Sequence, residues 1–228
     1  DPSLVRLLEG DASRAPQVEE RLRGRSAAAE AVIIDHADDV PRQADGFFGR
    51  GEQLAAIEAA LTAGERALLQ GLAGEGKTAL AAHAASVWLR AHPGSKAIWL
   101  SAGATPADGL YEALARPFGL AREMAGQRGA AQVTAVRRLL RESGAALIVL
   151  DDCWNGEALA ALLGALPPGL PALMTARQRY PVTGRVVPVE ALPLEDALAL
   201  LAHHAGSALT PGPSAGASWR GESESQSQ

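Results

Sequence analysis

"ALLQGLAGEGKTAL", residues 67–80, decides how the rest of the chain is read. Within it Gly71, Gly76, Lys77 and Thr78 fill the pattern G-x-x-x-x-G-K-[ST]. The pattern is short, so its flanks carry the weight. Ala67 to Gln70 form a brief apolar run of strand length, and Leu80, Ala84, Val87 and Trp88 recur at helical spacing. Strand, glycine loop and helix follow in the order a phosphate-binding loop requires.

Each residue type in the loop has its own physical reason. Gly71, Gly74 and Gly76 permit the sharp turns that bring backbone N–H groups close to phosphate oxygens. A helix beginning near Lys77 adds its partial positive end. Lys77 supplies a point charge for β- and γ-phosphates, and Thr78 supplies a hydroxyl for Mg²⁺. A glycine-rich turn with a solvent-exposed lysine is the plainer reading, but it leaves the strand and helix in register unexplained. The nucleotide-binding set expected here is Gly71, Gly74, Glu75, Gly76, Lys77, Thr78 and Ala79.

The chain has 228 residues, 47% of them apolar, enough for one full domain with appended segments. A net charge of −5 and a pI near 5.6 give no global field towards nucleic acid, and no Lys/Arg block suggests a local one. A nucleic-acid partner is therefore not expected. Cys153 is the single cysteine, which excludes an internal disulfide and suits a reducing cytoplasm. No apolar run approaches the ~20 residues of a membrane span, and no signal-peptide pattern opens the chain. The expected location is cytoplasmic. The first residue is Asp rather than Met, so a fragment of a longer protein is expected.

Composition divides the chain into three parts. Residues 1–46 are rich in Ala, Arg and Glu; residues 16–32 have a helical composition, and "DHADDVPRQADG" (35–46) reads as a polar linker. Residues 47–206 hold nearly all the periodic apolar pattern and form the expected nucleotide-binding domain. From there to residue 228 the chain is rich in Gly, Pro and Ser, then polar, and is expected to be disordered.

Within 47–206, apolar runs of strand length alternate with helical patterns. After the helix that follows the loop come "AIWLSA" (97–102), a helix over "DGLYEALA" limited by Pro117, and an amphipathic helix with Val133, Val136 and Leu140 on one face. Then follow "AALIVLDDCWN" (145–155), a helix around Glu157 to Leu163, "ALMTAR" (172–177), "RVVPVE" (185–190) and a helix from about Leu194 to His204. The alternation predicts a mostly parallel α/β sheet with ligands at the carboxyl ends of its strands.

Two of those strand ends carry chemistry. Asp151 and Asp152 emerge at the end of "LIVLDD", where the first can hold Mg²⁺ and the second can orient or deprotonate an attacking water. Paired acids also end strands and cap helices, and the phosphate loop upstream favours the Mg²⁺ reading. Arg177, closing "ALMTAR", can reach a γ-phosphate or can equally snorkel at the sheet rim beside Arg179. Spacing leaves these two readings level.

"FFGRGEQLAAIEAAL", "GLAGEGKTALA", "LIVLDDCW", "ALMTARQR" and "VVPVEALPLEDALALL", in this order, resemble the NB-ARC domain, the nucleotide-binding module of STAND ATPases. The resemblance covers about residues 47–206. It implies a P-loop NTPase fold, three-layer α/β/α, with a mostly parallel five-stranded sheet in the order 2-3-4-1-5 and its fifth strand at an edge. Pro188 inside "RVVPVE" suits an edge, because proline cannot donate to a ladder. Position by position, the resemblance implies that Phe48, Gly49 and Arg50 pack near adenine and ribose. It implies that Thr78 and Asp151 hold Mg²⁺, and that Asp152, Lys77 and Arg177 carry the chemistry, with Arg177 sensing the γ-phosphate.

The implied function is an ATP/ADP-binding, slowly hydrolysing switch core whose nucleotide state controls self-association of a larger protein. Effector and repeat-sensor domains would lie outside this chain. The family's downstream helical bundle and winged-helix domain have no counterpart after Gly206; Pro193 lies too early for the bundle's proline, and His203 and His204 read as surface histidines. Two alternatives stand beside this one. A small-molecule kinase on the same loop would need an Arg-rich lid, whereas Arg137 and Arg138 lie on an amphipathic helix. A truncated, inactive remnant would bind nucleotide weakly or not at all.

Overall fold

The strands are β1 (Glu30–Ile34), β2 (Arg66–Gln70), β3 (Lys96–Gly103), β4 (Ala145–Cys153), β5 (Ala172–Ala176) and β6 (Arg185–Pro188), the last five at the apolar runs read from the sequence. The helices are α1 (Gly51–Thr62), α2 (Lys77–Ala91), α3 (Ala107–Ala115), α4 (Ala121–Ala125), α5 (Gly129–Glu142), α6 (Gly156–Ala165) and α7 (Leu194–Ala208). The structure is a computed structural model that describes residues 28–41, 47–181 and 184–208, with side chains to 205.

The strands form one sheet in the order β1-β3-β4-β5-β2-β6. All pairs are parallel except β1 with β3, which run antiparallel from Glu30↔Ser101 to Ile34↔Ala97. Counted from the strand that feeds the phosphate loop, the last five strands lie in the order 2-3-4-1-5, the order the resemblance implies. β1 adds a sixth strand to the expected five. It also revises the helical reading of residues 16–32, because Glu30 to Val32 are extended, while residues 16–27 lie outside the described residues. Ala31 packs into the core on one face of the sheet and Ile34 into the core on the other, as side chains three apart on a strand do.

Parallel strands buried on both faces read as continuous apolar runs, and β4 and β5 do. The two faces carry separate cores. On one, Ile98, Leu100, Ile148, Leu150 and Met174 pack with α3, α5 and α6, including Leu114, Leu140 and Leu162. On the other, Leu69, Trp99, Val149 and Leu173 pack with α1 and α2 through Ile57, Leu61, Leu80 and Ala85. The result is the three-layer α/β/α arrangement. Pro188 lies in β6 at the sheet edge, opposite Gln70, and the next residue restores a bond when the Val189 N–H donates to the Gln70 carbonyl at 2.7 Å. After α3, Pro117 sits in a short 3₁₀ turn, Arg116–Phe118, which ends that helix.

Within the polar stretch 35–46, Ala37–Asp39 make a 3₁₀ turn and Val40 is buried; residues 42–46 lie outside the described residues. α7 runs on to Ala208, past the point expected for the start of the tail. Residues 209–228, read from sequence as disordered, lie outside the described residues.

Candidate nucleotide site

β2 ends at Gln70 and the chain turns through Gly71 to Gly76 before α2 begins at Lys77. Gly76 caps α2 with φ 84°, a left-handed conformation that glycine adopts without steric cost. Gly71 is required for a different reason. A Cβ there would strike the Val189 carbonyl oxygen, so the segment after β6 presses directly on the first loop residue. The loop is thus clamped at one end by β6 and opened at the other into a helix N-terminus.

Lys77 is buried, 9% exposed, and its ammonium donates to the Leu72 carbonyl across the loop. The Leu72 N–H in turn donates to the Glu75 carboxylate. Burial pushes the Lys77 pKa down; Glu75, and more weakly Asp152 and Asp151, oppose that fall, while Arg177 reinforces it. Thr78 beside Lys77 bonds to Asp151, and Thr175 bonds to the same carboxylate, so the ends of β4 and β5 reach the loop. Three sequence-distant segments meet here.

Asp151 is 1% exposed and accepts two hydroxyl donors on Oδ1, from Thr78 at 2.8 Å and from Thr175 at 2.7 Å. The β4–β5 register shifts between Leu150 and Cys153, so Asp151 and Asp152 together oppose the single residue Thr175. Asp152 takes a left-handed φ of 57°, which Asp tolerates better than most residues. Its N–H, displaced from the ladder, donates instead to Thr175 Oγ1 at 2.8 Å. One hydroxyl therefore serves both acids. Asp152 Oδ1 accepts from the Trp154 indole N–H at 2.7 Å, and the Arg177 guanidinium lies 5.0 Å from the Trp154 ring centroid. Between the acids and the indole, Cys153 is buried, and burial raises its thiol pKa far above the range in which it ionises.

The opening motif takes a supporting position. Arg50 is 7% exposed and donates to two carbonyls, Glu75 at 3.0 Å and Glu190 at 2.6 Å. It ties the phosphate loop to the end of β6. Phe47 stacks on His83 of α2 at 4.2 Å, Phe48 lies 5.7 Å from the His203 ring, and Gly49 abuts Asp196 in the first turn of α7. His203 and His204 are exposed, as expected.

The donor set suits a magnesium nucleotide. The Thr78 hydroxyl gives its proton to Asp151 and so keeps oxygen lone pairs for a hard cation, with a carboxylate directly behind it. Among the described residues no group of three or more His, Cys, Asp or Glu is placed to hold a metal, so phosphate and water oxygens would complete the shell. A Cβ at Gly74 or Gly76 would meet no other atom, so nothing in the protein crowds the loop at these two positions.

The sequence pointed to Lys77, Thr78, Asp151, Asp152 and Arg177, and the fold gathers them. It gave no role to Thr175, Trp154 or Glu190. A hydroxyl inside the otherwise apolar "ALMTA" was the available signal for Thr175. Glu190 contributes a backbone carbonyl, which side-chain patterns do not reveal.

A family model described as the NB-ARC domain matches residues 53–208. No curated protein matches the chain in sequence. Among solved structures, the Walker-type ATPase paby2304 of Pyrococcus abyssi is similar at TM-score 0.50 and 15% identity, over 75% of this chain and 61% of that one. PCH-2 of C. elegans gives TM-score 0.47 and 12% identity, over 79% of this chain and 54% of that one. The chain therefore spans less than two thirds of each of those structures. Among the described residues no helix is long and apolar enough to cross a membrane. With the family model covering most of the chain and the phosphate loop in its place, the chain belongs to the NB-ARC domain family, a nucleotide-binding P-loop ATPase module.

Proposed function

We propose that this chain is the ATP/ADP-binding core of a STAND-type regulatory protein, a slow ATPase whose nucleotide state controls association of the larger molecule. What carries the reading is the meeting of Asp152 and Arg177 on Trp154, beside the Thr78–Asp151 pair. A binding module alone needs the loop. A module that distinguishes ATP from ADP needs groups that read the γ-phosphate and groups that remove it.

In this reading Lys77 binds the β- and γ-phosphates, giving up its bond to the Leu72 carbonyl. Thr78 and Asp151 would hold Mg²⁺, which when bound would supply charge neutralisation at the phosphate oxygens. Thr175 keeps Asp151 oriented. Asp152 accepts a proton from, or orients, the attacking water, and Arg177 donates to the γ-phosphate when it is present. Phe48, Gly49 and Arg50 close the adenine side, Arg50 by anchoring the loop rather than by touching base. A single buried cysteine and a net negative charge fit a cytoplasmic protein with no nucleic-acid partner.

The test is the ratio of ATP to ADP dissociation constants, with Mg²⁺, in the parent and in Arg177→Ala. A charge-assisted hydrogen bond is worth about 1.5–3 kcal/mol, so ATP should weaken about tenfold to hundredfold while ADP changes little. Light scattering with each nucleotide then reads association. An unchanged ratio removes the sensor; equal association in both nucleotides removes the switch.

A further inference from the structure

We infer that Trp154 is a positioning residue that sets Asp152 and Arg177 together, so that the acid acting on water and the sensor of the γ-phosphate are oriented by one side chain. The inference rests on the roles proposed above for those two residues. Its basis is a pair of contacts made by different parts of one indole. The edge N–H donates to Asp152 Oδ1 at 2.7 Å, and Arg177 Cζ lies 5.0 Å from the ring centroid.

The main chain around Trp154 is fixed on every side. Its N–H donates to the Gly103 carbonyl at 3.0 Å, prolonging the β3–β4 ladder by one residue. Asn155 follows as the N-cap of α6, its side chain accepting from the Ala158 N–H at 3.0 Å. The Tyr180 ring crowds Gly156, where a Cβ would approach to 2.7 Å, and its hydroxyl donates to the Cys153 carbonyl at 3.4 Å. An indole leaving so constrained a backbone has few directions open to it. Trp154 is only half-buried, so the hydrogen bond and the cation contact, rather than enclosure in a core, hold the ring.

The chemistry of the two neighbours requires such a holder. The Asp152 backbone is secured by Thr175, but that bond leaves the carboxylate free to rotate about χ1 and χ2. A neutral N–H donor on Oδ1 stops the rotation without neutralising the charge, and the second oxygen remains for water. Arg177 is exposed and lies just past β5, so its long side chain has many rotamers to lose. An aromatic face attracts the guanidinium while leaving its in-plane N–H donors free for phosphate. No ion pair joins Asp152 to Arg177 among the described residues. If they paired directly, each would occupy the group the other needs. Of the aromatic side chains, Trp combines a strong π-face with an edge N–H donor, so it serves both at once.

The test uses two substitutions with different losses. Trp154→Phe keeps the face and removes the donor; Trp154→Leu removes both. Hydrolysis in single turnover should fall at least about tenfold in Trp154→Phe, as expected when a general base loses its orientation. The ratio of ATP to ADP dissociation constants should stay within about twofold of the parent in that variant. Trp154→Leu should lose as much hydrolysis and also shift the ratio towards ADP by about threefold or more, the loss of a cation–π contact. A readout independent of turnover is the Trp154 indole N–H resonance in the intact protein, assigned by its absence in Trp154→Phe. Asp152→Asn should move it, since the charge at its acceptor is gone.

The inference is overturned if the two variants behave alike on both readouts, if Trp154→Phe hydrolyses like the parent, or if Asp152→Asn leaves the indole resonance in place. Failure of the functional reading looks different: Arg177→Ala then leaves the ATP to ADP ratio of the parent unchanged, and the inference falls with it. If Arg177→Ala shifts the ratio but Trp154→Phe does not slow turnover, only the inference fails.

Discussion

In the proposed function Lys77 is the residue on which phosphate binding turns, and its surroundings bear on both its strength and its vulnerability. Its ammonium is held at the Leu72 carbonyl in a site that excludes much of its hydration. Lys77→Ala should abolish or severely weaken binding of ATP and ADP alike, with folding retained, since a buried cation is removed rather than stranded. Isothermal titration showing parental affinity would defeat the phosphate-loop reading. The lowered Lys77 pKa, caused chiefly by burial, adds a pH dependence. The folded, ligand-free lysine sheds its proton at lower pH than the unfolded one. Between the two pKa values the unfolded state therefore binds more protons, and the stability of the free protein should rise with pH there. Nucleotide affinity should fall over the same alkaline window, because binding needs the ammonium. Denaturant titrations and ADP titrations across that window check the opposite signs; parallel trends would exclude Lys77 as the titrating group. The lysine, the threonine and the acids were legible because a motif fixes their spacing. Thr175 and Trp154 were not, because their contribution depends on a bulge that offsets β4 against β5 by one residue.

At the scale of elements, periodicity located each strand from β2 onward and the longer helices that follow the loop but missed the five-residue α4, and its failure at β1 has a physical source. The stretch "EAVII" is five residues long and follows an Ala- and Glu-rich run whose composition favours a helix. What makes it a strand is tertiary: the open edge of β3 offers a ladder, and Ala31 and Ile34 each extend one of the two cores that flank the sheet. Ile34 is fully buried against the α1–α2 core. Ile34→Ala should cost about 2–5 kcal/mol, the range for truncating a buried aliphatic side chain. The ADP affinity of the folded fraction should hardly change, because β1 and β2 are separated by β3, β4 and β5. Chemical denaturation and ADP titration of the same sample separate these effects. A large loss of affinity would mean that β1 helps to shape the loop. Arg50 makes the complementary case. Arg50→Ala strands the Glu75 and Glu190 carbonyls, so it should lower stability and weaken ATP and ADP equally. A selective effect on ATP would give Arg50 a different job.

For the molecule as a whole, the candidate site is an assembly point rather than a pocket within one element. The loop between β2 and α2, the ends of β4 and β5, the segment after β6 and the segment before α1 all converge on it. A ligand bound there touches parts that separate only when the whole domain unfolds, so its binding energy should appear as global stability. At about 100 times its dissociation constant, a nucleotide should add about 2.7 kcal/mol. For a domain of this size that is a rise of roughly 5–10 °C in Tm. Asp152→Asn should keep the full rise with Mg-ATP, because it preserves shape and the loop, while hydrolysis drops as its acceptor charge is lost. Lys77→Ala should show no rise with either nucleotide. Scanning the parent and both variants without ligand, with Mg-ADP and with Mg-ATP tests binding and chemistry in one experiment. If Asp152→Asn loses the thermal rise along with turnover, the acid supports the fold of the site instead of its reaction. If the parent shows no rise, the convergence of these segments on Lys77 serves packing alone, and the nucleotide reading of this chain is wrong.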